Sequence, residues 1–196
     1  MKIYILRHED RTQDATMFSP LTETGLDNSI KLIQDLEDIE FDIIYSSPYI
    51  RTLQTVYPYV KKYNKKVNID YSLCEFQNSY LIPENSYQVR LPEYLAKSFS
   101  YNSHYKSIFD PENISYPENE HEVNKRVKSF LTKLMSEHLE SRKKVLLVTH
   151  QAVCNSILKI ATKELEYKHN FTDSYPKGGV TKVWDVDEWV YKPINY

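Results

Sequence analysis

Three short stretches of the chain place arginine and histidine where chemistry can be done. Arg7-His8 follows the apolar run Ile3-Tyr4-Ile5-Leu6. Ser46-Ser47-Pro48 follows Ile43-Ile44-Tyr45, and Arg51 comes one helical turn later. Thr149-His150 follows Val145-Leu146-Leu147-Val148. If the three apolar runs are neighbouring parallel strands, these groups meet at one edge of a sheet, since ligands of open parallel sheets bind beyond the strands' carboxyl ends. Two guanidiniums, two imidazoles and adjoining helix N-termini suit a phosphoryl group. A neutral imidazole is a good nucleophile near pH 7, and a covalent intermediate splits one hard displacement into two easier ones. The second imidazole and the arginines then stabilise the charge on the group in transfer. A carboxylic acid is also required, to protonate the leaving oxygen and later to activate water.

The elements that position these residues follow from the apolar pattern. The three runs are short, rich in branched residues and continuous, as in strands buried on both faces of a parallel sheet. Helical periodicity separates them. Leu26, Ile30, Ile33 and Leu36 recur at steps of three and four between Thr22, a candidate N-cap, and Ile39. Ser47-Pro48 reads as the start of a second helix, with Ser47 as cap. Asn119 to Leu139 is a third, with Val123, Val127, Phe130, Leu131 and Leu134 on one face. Residues 151–162 form a fourth, with Val153, Ile157, Leu158 and Ala161 facing inward. A last strand pair is expected between Val180 and Tyr191. Residues 76–117 are irregular, rich in Pro, Asn, Ser and Tyr, with one short helix near Pro92 to Phe99. They read as an insertion over the active site within a single domain, 1–196. The expected architecture is a three-layer α/β/α sandwich around a mostly parallel sheet.

Composition narrows the function classes. A chain of 196 residues buries a core without metal or disulfide staples, and a formal charge of −2 offers no overall basic field for nucleic acid or anionic membrane. No stretch approaches the ~18 apolar residues of a membrane span, and no signal-peptide pattern opens the chain. A cytoplasmic location is the expectation. Cys74 and Cys154 show no metal-binding spacing and read as buried reduced thiols. His104, His121, His138 and His169 read as solvated side chains.

Leu6-Arg7-His8 resembles the signature of the histidine phosphatase superfamily, which includes the phosphoglycerate mutase-like enzymes. Further landmarks follow in that family's order. Pro20-Leu21-Thr22-Glu23-Thr24-Gly25 resembles its Leu-Thr-x-x-Gly helix start, and Ser46-Ser47-Pro48-Tyr49-Ile50-Arg51-Thr52-Leu53-Gln54-Thr55 its Ser-Ser-Pro-x-x-Arg-x-x-x-Thr segment. Leu73-Cys74-Glu75 resembles the segment of the proton donor. Glu118 through Arg126-Val127 resembles the helix before the last core strand, and Val148-Thr149-His150 the second-histidine motif. The resemblance implies that His8 becomes phosphohistidine, that Arg7, Arg51 and His150 bind phosphoryl oxygens, and that Glu75 is the acid and base. Glu9 and Asp10 are alternative carboxylates for that last role. It implies no metal and no organic cofactor. Arg7-His8-Glu9-Asp10-Arg11 is most similar to an Arg-His-Gly-Glu-Arg branch of phosphatases, which makes Arg11 a further phosphate contact.

Two positions depart from the family pattern: Glu9 and Gln151 stand where glycine is usual. Glu9 adds a carboxylate beside an anion site, which weakens phosphate binding if it points inward. The implied activity is hydrolysis of a phosphomonoester, carried by a small molecule or a protein. Phosphoglycerate mutase-type transfer is one alternative. A mutase must hold a doubly phosphorylated intermediate, yet residues 76–117 carry three cations (Arg90, Lys97, Lys106) against four carboxylates. A catalytically inactive phosphate-binding or protein-interaction module is the other alternative, against which His8, Arg51, Glu75 and His150 stand together.

Overall fold

The computed structural model describes residues 1–164 and 169–196. Six strands form one sheet in the order β3-β2-β4-β1-β5-β6: β1 Lys2–Arg7, β2 Ile43–Ser46, β3 Val67–Ile69, β4 Lys144–Thr149, β5 Val180–Asp185 and β6 Glu188–Pro193. The first four are parallel, and β5 and β6 add an antiparallel edge. The three apolar runs are thus adjacent parallel strands. Ile3 pairs with Val145, Arg7 with Thr149 and Ser46 with Val148, so their C-terminal ends finish level.

Side chains alternate across the sheet with the strand period of two. Tyr4, Leu6, Ile44, Leu146 and Val148 enter one core with Leu32, Leu36, Leu53 and Val56, from the side of helices α1 (Glu23–Asp35) and α2 (Ile50–Lys62). Ile3, Ile5, Tyr45, Val145 and Leu147 enter the other with Val127, Phe130, Ile157 and Leu158, from α4 (Glu120–His138) and α5 (Gln151–Ala161). Helices therefore cover both faces, giving the three-layer α/β/α arrangement. The inward face expected for α4 is buried as read, and Asn119 closes a capping box with Glu122. Val186 and Asp187 turn the β5–β6 hairpin with positive φ at both positions, as a type I′ turn requires.

Three local expectations are corrected. The buried face of α1 is Gly25, Ser29 and Leu32, followed by Leu36, whereas Leu26 and Ile30 are exposed. A Cβ on Gly25 would lie 2.1 Å from the Asp10 carbonyl oxygen, so the helix packs here through its smallest residues. The cap of α2 is Tyr49 rather than Ser47; the Ser47 hydroxyl is hydrogen-bonded to His150 and accepts the Tyr49 N–H at 3.4 Å, outside the helix. His169 is buried and bonds Asn155 Oδ1 through Nε2 at 2.8 Å. Cys74 and Cys154 are free and buried, as expected.

In segment 76–117 the one α-helix is α3, Glu93–Lys97, with 3₁₀ turns at Glu84–Ser86 and Pro111–Asn113. Residues 100–102 run beside β3: Val67 N–H donates to the Ser100 carbonyl and Asn102 N–H to that of Val67. Gln77, near its start, hydrogen-bonds the Tyr49 hydroxyl through Nε2 at 3.0 Å. Among the described residues no helix is long and apolar enough to cross a membrane.

Candidate active site

The loops after β1, β2 and β4 are laced together by backbone hydrogen bonds. His8 N–H donates to the Thr149 carbonyl at 2.9 Å and Ser47 N–H to that of Val148 at 3.0 Å. Glu9 N–H donates to Thr55 Oγ1 at 3.0 Å, and that hydroxyl donates to the Arg51 carbonyl at 2.7 Å, fixing the His8 loop to the first turns of α2. The fourth arm comes from β3. The buried Asp70 caps a short 3₁₀ turn, Tyr71–Leu73, that delivers Glu75 to the same edge.

His8, Arg51 and His150 are almost fully buried, and Arg7 and Glu75 partly so. The two imidazole rings lie 5.2 Å apart, edge to face. His8 Nδ1 contacts the Glu9 carbonyl at 2.7 Å. A carbonyl only accepts, so Nδ1 carries the proton and Nε2 keeps its lone pair. His150 Nε2 is hydrogen-bonded to Ser47 Oγ at 2.8 Å, and its Nδ1 faces Glu75 Oε2 at 3.4 Å. Glu75 Oε2 is also 3.5 Å from Arg51 Nη2. Arg51 donates to the Thr16 carbonyl at 2.8 Å and stacks 4.4 Å over the Tyr49 ring. Arg7 Nη1 donates to Gln151 Oε1 at 2.9 Å and to the Tyr175 carbonyl.

Among the buried nitrogens in this one place, Arg7 Nε and Arg51 Nε have no hydrogen-bond partner among the protein groups, and Arg51 Nη2 and His150 Nδ1 have only the Glu75 carboxylate, at 3.5 and 3.4 Å, beyond good hydrogen-bond geometry. Buried donors are ordinarily satisfied, and leaving one unmet costs about 1–3 kcal/mol. A tetrahedral oxyanion offers the acceptors such a set lacks. The cluster of one ligating atom each from His8, Glu75 and His150, all within 4.8 Å, also has the spacing of a three-ligand cation site. The guanidiniums of Arg7 and Arg51 oppose a cation there and favour an anion.

Burial lowers the pKa of His8 well below the ordinary imidazole value, and the Arg51 charge adds to it. Burial does the same to His150, again with Arg51 next. Both rings are therefore neutral at pH 7. Desolvation also lowers Arg51, partly offset by Glu75. Neither cysteine is a nucleophile at that pH, because burial pushes both thiols far up.

His8, Arg7, Arg51, Glu75 and His150 are thus brought together. Arg11 is brought to the mouth: it lines a cleft of about 250 Å³ with Arg7, His8 and Lys177. Its Nη1 is spent on the carbonyls of Thr12, Gln13 and Asp14. The alternative carboxylates turn elsewhere. Asp10 binds Lys177 and the Thr22 hydroxyl, and Glu9 lies against Gly178, 3.5 Å from Asn28 Nδ2. The Glu9 carboxylate does not point inward. Ser47, a cap by composition, and Gln151, a departure from the family pattern, are partners of His150 and Arg7, roles that no local sequence signal marks. A larger cleft, about 540 Å³ between β3 and the 90–111 stretch, shares no residue with this cluster.

The sequence matches the family model for the histidine phosphatase superfamily (branch 1) over residues 3–192. No curated protein matches it significantly. Among solved structures it is similar to the ecdysone phosphate phosphatase of Bombix mori in complex with tungstate, with a TM-score of 0.77 at 11% identity, covering 100% of this chain and 92% of that one. It is also similar to the alpha-ribazole phosphatase of Shigella flexneri (TM-score 0.69, 18% identity, 100% and 96% covered). A phosphoglycerate mutase of Bacillus anthracis aligns with a TM-score of 0.68 at 18% identity over 99% and 92% of the two chains. At such identities these likenesses speak for the fold, and the family match over nearly the whole length speaks for descent: the chain belongs to branch 1 of the histidine phosphatase superfamily.

Proposed function

We propose that the protein hydrolyses phosphomonoesters, without a metal, in two steps through a phosphohistidine on His8. The observation that carries this reading is the set of buried Arg7, Arg51 and His150 nitrogens, which have no acceptor close by except the Glu75 carboxylate, around an imidazole whose Nε2 is unprotonated. In the first step Nε2 attacks phosphorus. The bond from phosphorus to the ester oxygen breaks, and the Glu75 carboxyl gives its proton to that oxygen. Arg7, Arg51 and His150 hold the three other oxygens, over which the charge of the transferring group is spread. In the second step the Glu75 carboxylate takes a proton from water as that water attacks phosphorus. The phosphorus–nitrogen bond breaks, and orthophosphate and neutral His8 result. Arg11 attracts the ester at the mouth.

Hydrolysis is favoured over a mutase reaction by the pairing of two of the insertion's three cations. Arg90 is tied to Asp110 and Glu112, and Lys97 to Glu93, so they are not poised for a second phosphate. Solved relatives above include both phosphatases and a mutase, in keeping with one shared first step.

The test is para-nitrophenyl phosphate turnover in excess EDTA by the wild type and by His8→Ala. Turnover that resists EDTA and vanishes in the variant is the expected result. Activity surviving in His8→Ala overturns the nucleophile assignment. Loss with EDTA and recovery with a divalent ion turns the His8–Glu75–His150 cluster into a metal site instead. A folded wild type that binds orthophosphate but turns over nothing leaves the inactive binding module.

A further inference from the structure

Glu75 sits at the end of a segment with little regular structure, yet its carboxylate is fixed between Arg51 and His150. The fixing begins on the far side of the segment. Arg126 and Glu118 form an ion pair that is almost wholly excluded from water. Arg126 Nε donates to Glu118 Oε1 at 2.8 Å and Nη2 to Oε2 at 3.0 Å, a two-point fork. The guanidinium has donors to spare. Nη1 donates to the Ser72 carbonyl at 2.7 Å, and Nη2 also to the Glu75 carbonyl at 3.2 Å. Glu118 grips the next residues: its Oε2 accepts from Gln77 N–H at 3.0 Å, and its own N–H donates to the Gln77 carbonyl at 2.9 Å. The Gln77 side chain closes the loop, donating from Nε2 to the Glu75 carbonyl at 2.7 Å and to Tyr49 Oη at 3.0 Å.

A buried ion pair is poor evidence of stabilisation, since desolvating both charges offsets their attraction. Here both partners spend their remaining capacity on one six-residue stretch, 72–77, with Glu75 inside it. We infer that Glu118 and Arg126 are positioning residues for Glu75, holding the backbone on both sides of it so that its carboxyl meets the leaving oxygen. Neither touches the reacting atoms. The inference rests on the two-step hydrolysis above, in which Glu75 is the proton donor.

Positioning of an acid leaves a mark that a general structural role does not. Protonation matters for a leaving group that departs badly and hardly at all for one that departs unaided. The value of kcat/KM reports the first irreversible step, here transfer to His8, so it isolates the acid role from later hydrolysis of phosphohistidine. The experiment compares phenyl phosphate with 2,4-dinitrophenyl phosphate for wild type, Glu75→Gln, Arg126→Lys and Glu118→Gln. Arg126→Lys keeps the charge but loses the fork, and Glu118→Gln keeps the shape, so one serves if the other does not fold. Displacement of a catalytic group by about 1 Å costs on the order of 10²-fold. Both variants should therefore lose about that factor on phenyl phosphate and little on the dinitrophenyl ester, copying the selectivity of Glu75→Gln. Equal losses on the two esters, or no loss on either, overturn the inference while leaving the hydrolase reading intact. A wild type that turns over neither ester overturns that reading and this inference with it.

Discussion

Gln151, the first residue of α5, accepts a hydrogen bond from Arg7, the last residue of β1, at 2.9 Å. The residue that stands where the family pattern has glycine is therefore a brace for a guanidinium of the site. With the Tyr175 carbonyl it sets the direction of Arg7 Nη1. In the proposed mechanism Arg7 meets the phosphoryl oxygens in ground and transition states alike, so loosening it removes uniform binding. Gln151→Ala is expected to raise KM for para-nitrophenyl phosphate about tenfold with kcat little changed, near the lower end of a charge-assisted hydrogen bond. Steady-state kinetics, with inhibition by orthophosphate as a binding check, decide it. An unchanged KM means that the Tyr175 carbonyl suffices alone.

The neutral histidines make a prediction with a definite sign. Burial lowers the pKa of both His8 and His150 well below the ordinary value, and Arg51 adds to the shift. In the free enzyme His8, the proposed nucleophile, thus stays unprotonated at pH 6.5, and the acid limb of kcat/KM should lie below that value once the ester's own ionisation is corrected for. Stability follows the same linkage. Below about pH 6.5 the unfolded chain binds protons that the folded imidazoles refuse, so stability is full above that pH and falls as pH drops towards the folded-state values. Melting temperatures from pH 8 to pH 5 should decline on the acid side, less steeply in His150→Asn. An acid limb centred at 6.5 or above contradicts the assignment.

How much of this was legible in the residues depended on the distance over which partners act. Ile3–Leu6, Ile43–Tyr45 and Val145–Val148 declare themselves as buried strands through local composition, and the groups after them fall together once those strands are parallel neighbours. β3 has only three residues, Val67–Ile69, among lysine, asparagine and aspartate, too little apolar surface to stand out. Periodicity assigns the α1 face to large apolar residues, whereas contact with the Asp10 backbone demands Gly25. Ser47 has the composition of a cap, but its hydroxyl answers to His150, 103 residues away. The clamp on Glu75 joins residues 41 to 54 positions apart, and no local pattern encodes it.

Gly25 offers a test in which two magnitudes oppose each other. Alanine in place of glycine in a helix stabilises by up to about 1 kcal/mol through propensity alone. At this position the added carbon would meet Asp10 backbone atoms at 2.1 and 3.0 Å, and backbone yields less than a side-chain tip. Overpacking of that kind costs about 1–3 kcal/mol, so the clash wins. Gly25→Ala should lower the urea midpoint at unchanged m-value. The Asp10 carbonyl that it pushes also accepts the Thr22 N–H, so the 10–22 loop carrying Arg11 should loosen too. A stabilised variant shows that α1 does not pack on this loop as described.

Glu9 gives the complementary case, a charged residue beside an anion site that turns its charge away. Its carboxylate occupies the space that Gly178, at φ +66°, leaves by having no side chain. The His8 ring uses only the Glu9 backbone carbonyl. Glu9→Gln should therefore shift the inhibition constant of orthophosphate by less than about threefold, or ~0.6 kcal/mol. A gain of tenfold or more means that the carboxylate opposes the phosphate after all. Stability should move in the other direction. Desolvation raises the Glu9 pKa, only partly countered by Asn28 and the Asp10 N–H. A raised carboxyl pKa means that the folded state binds protons more readily than the unfolded one. The Glu9 contribution to stability then declines as pH rises from the unfolded value of about 4.3 through the folded one. At pH 7 the charged form carries that full penalty, and glutamine removes it. Glu9→Gln should therefore melt at a higher temperature than wild type at pH 7, with the difference shrinking towards pH 4. A lower melting temperature at pH 7 would mean that the Asn28 and Asp10 contacts outweigh desolvation, and that Glu9 stabilises the fold in its charged form.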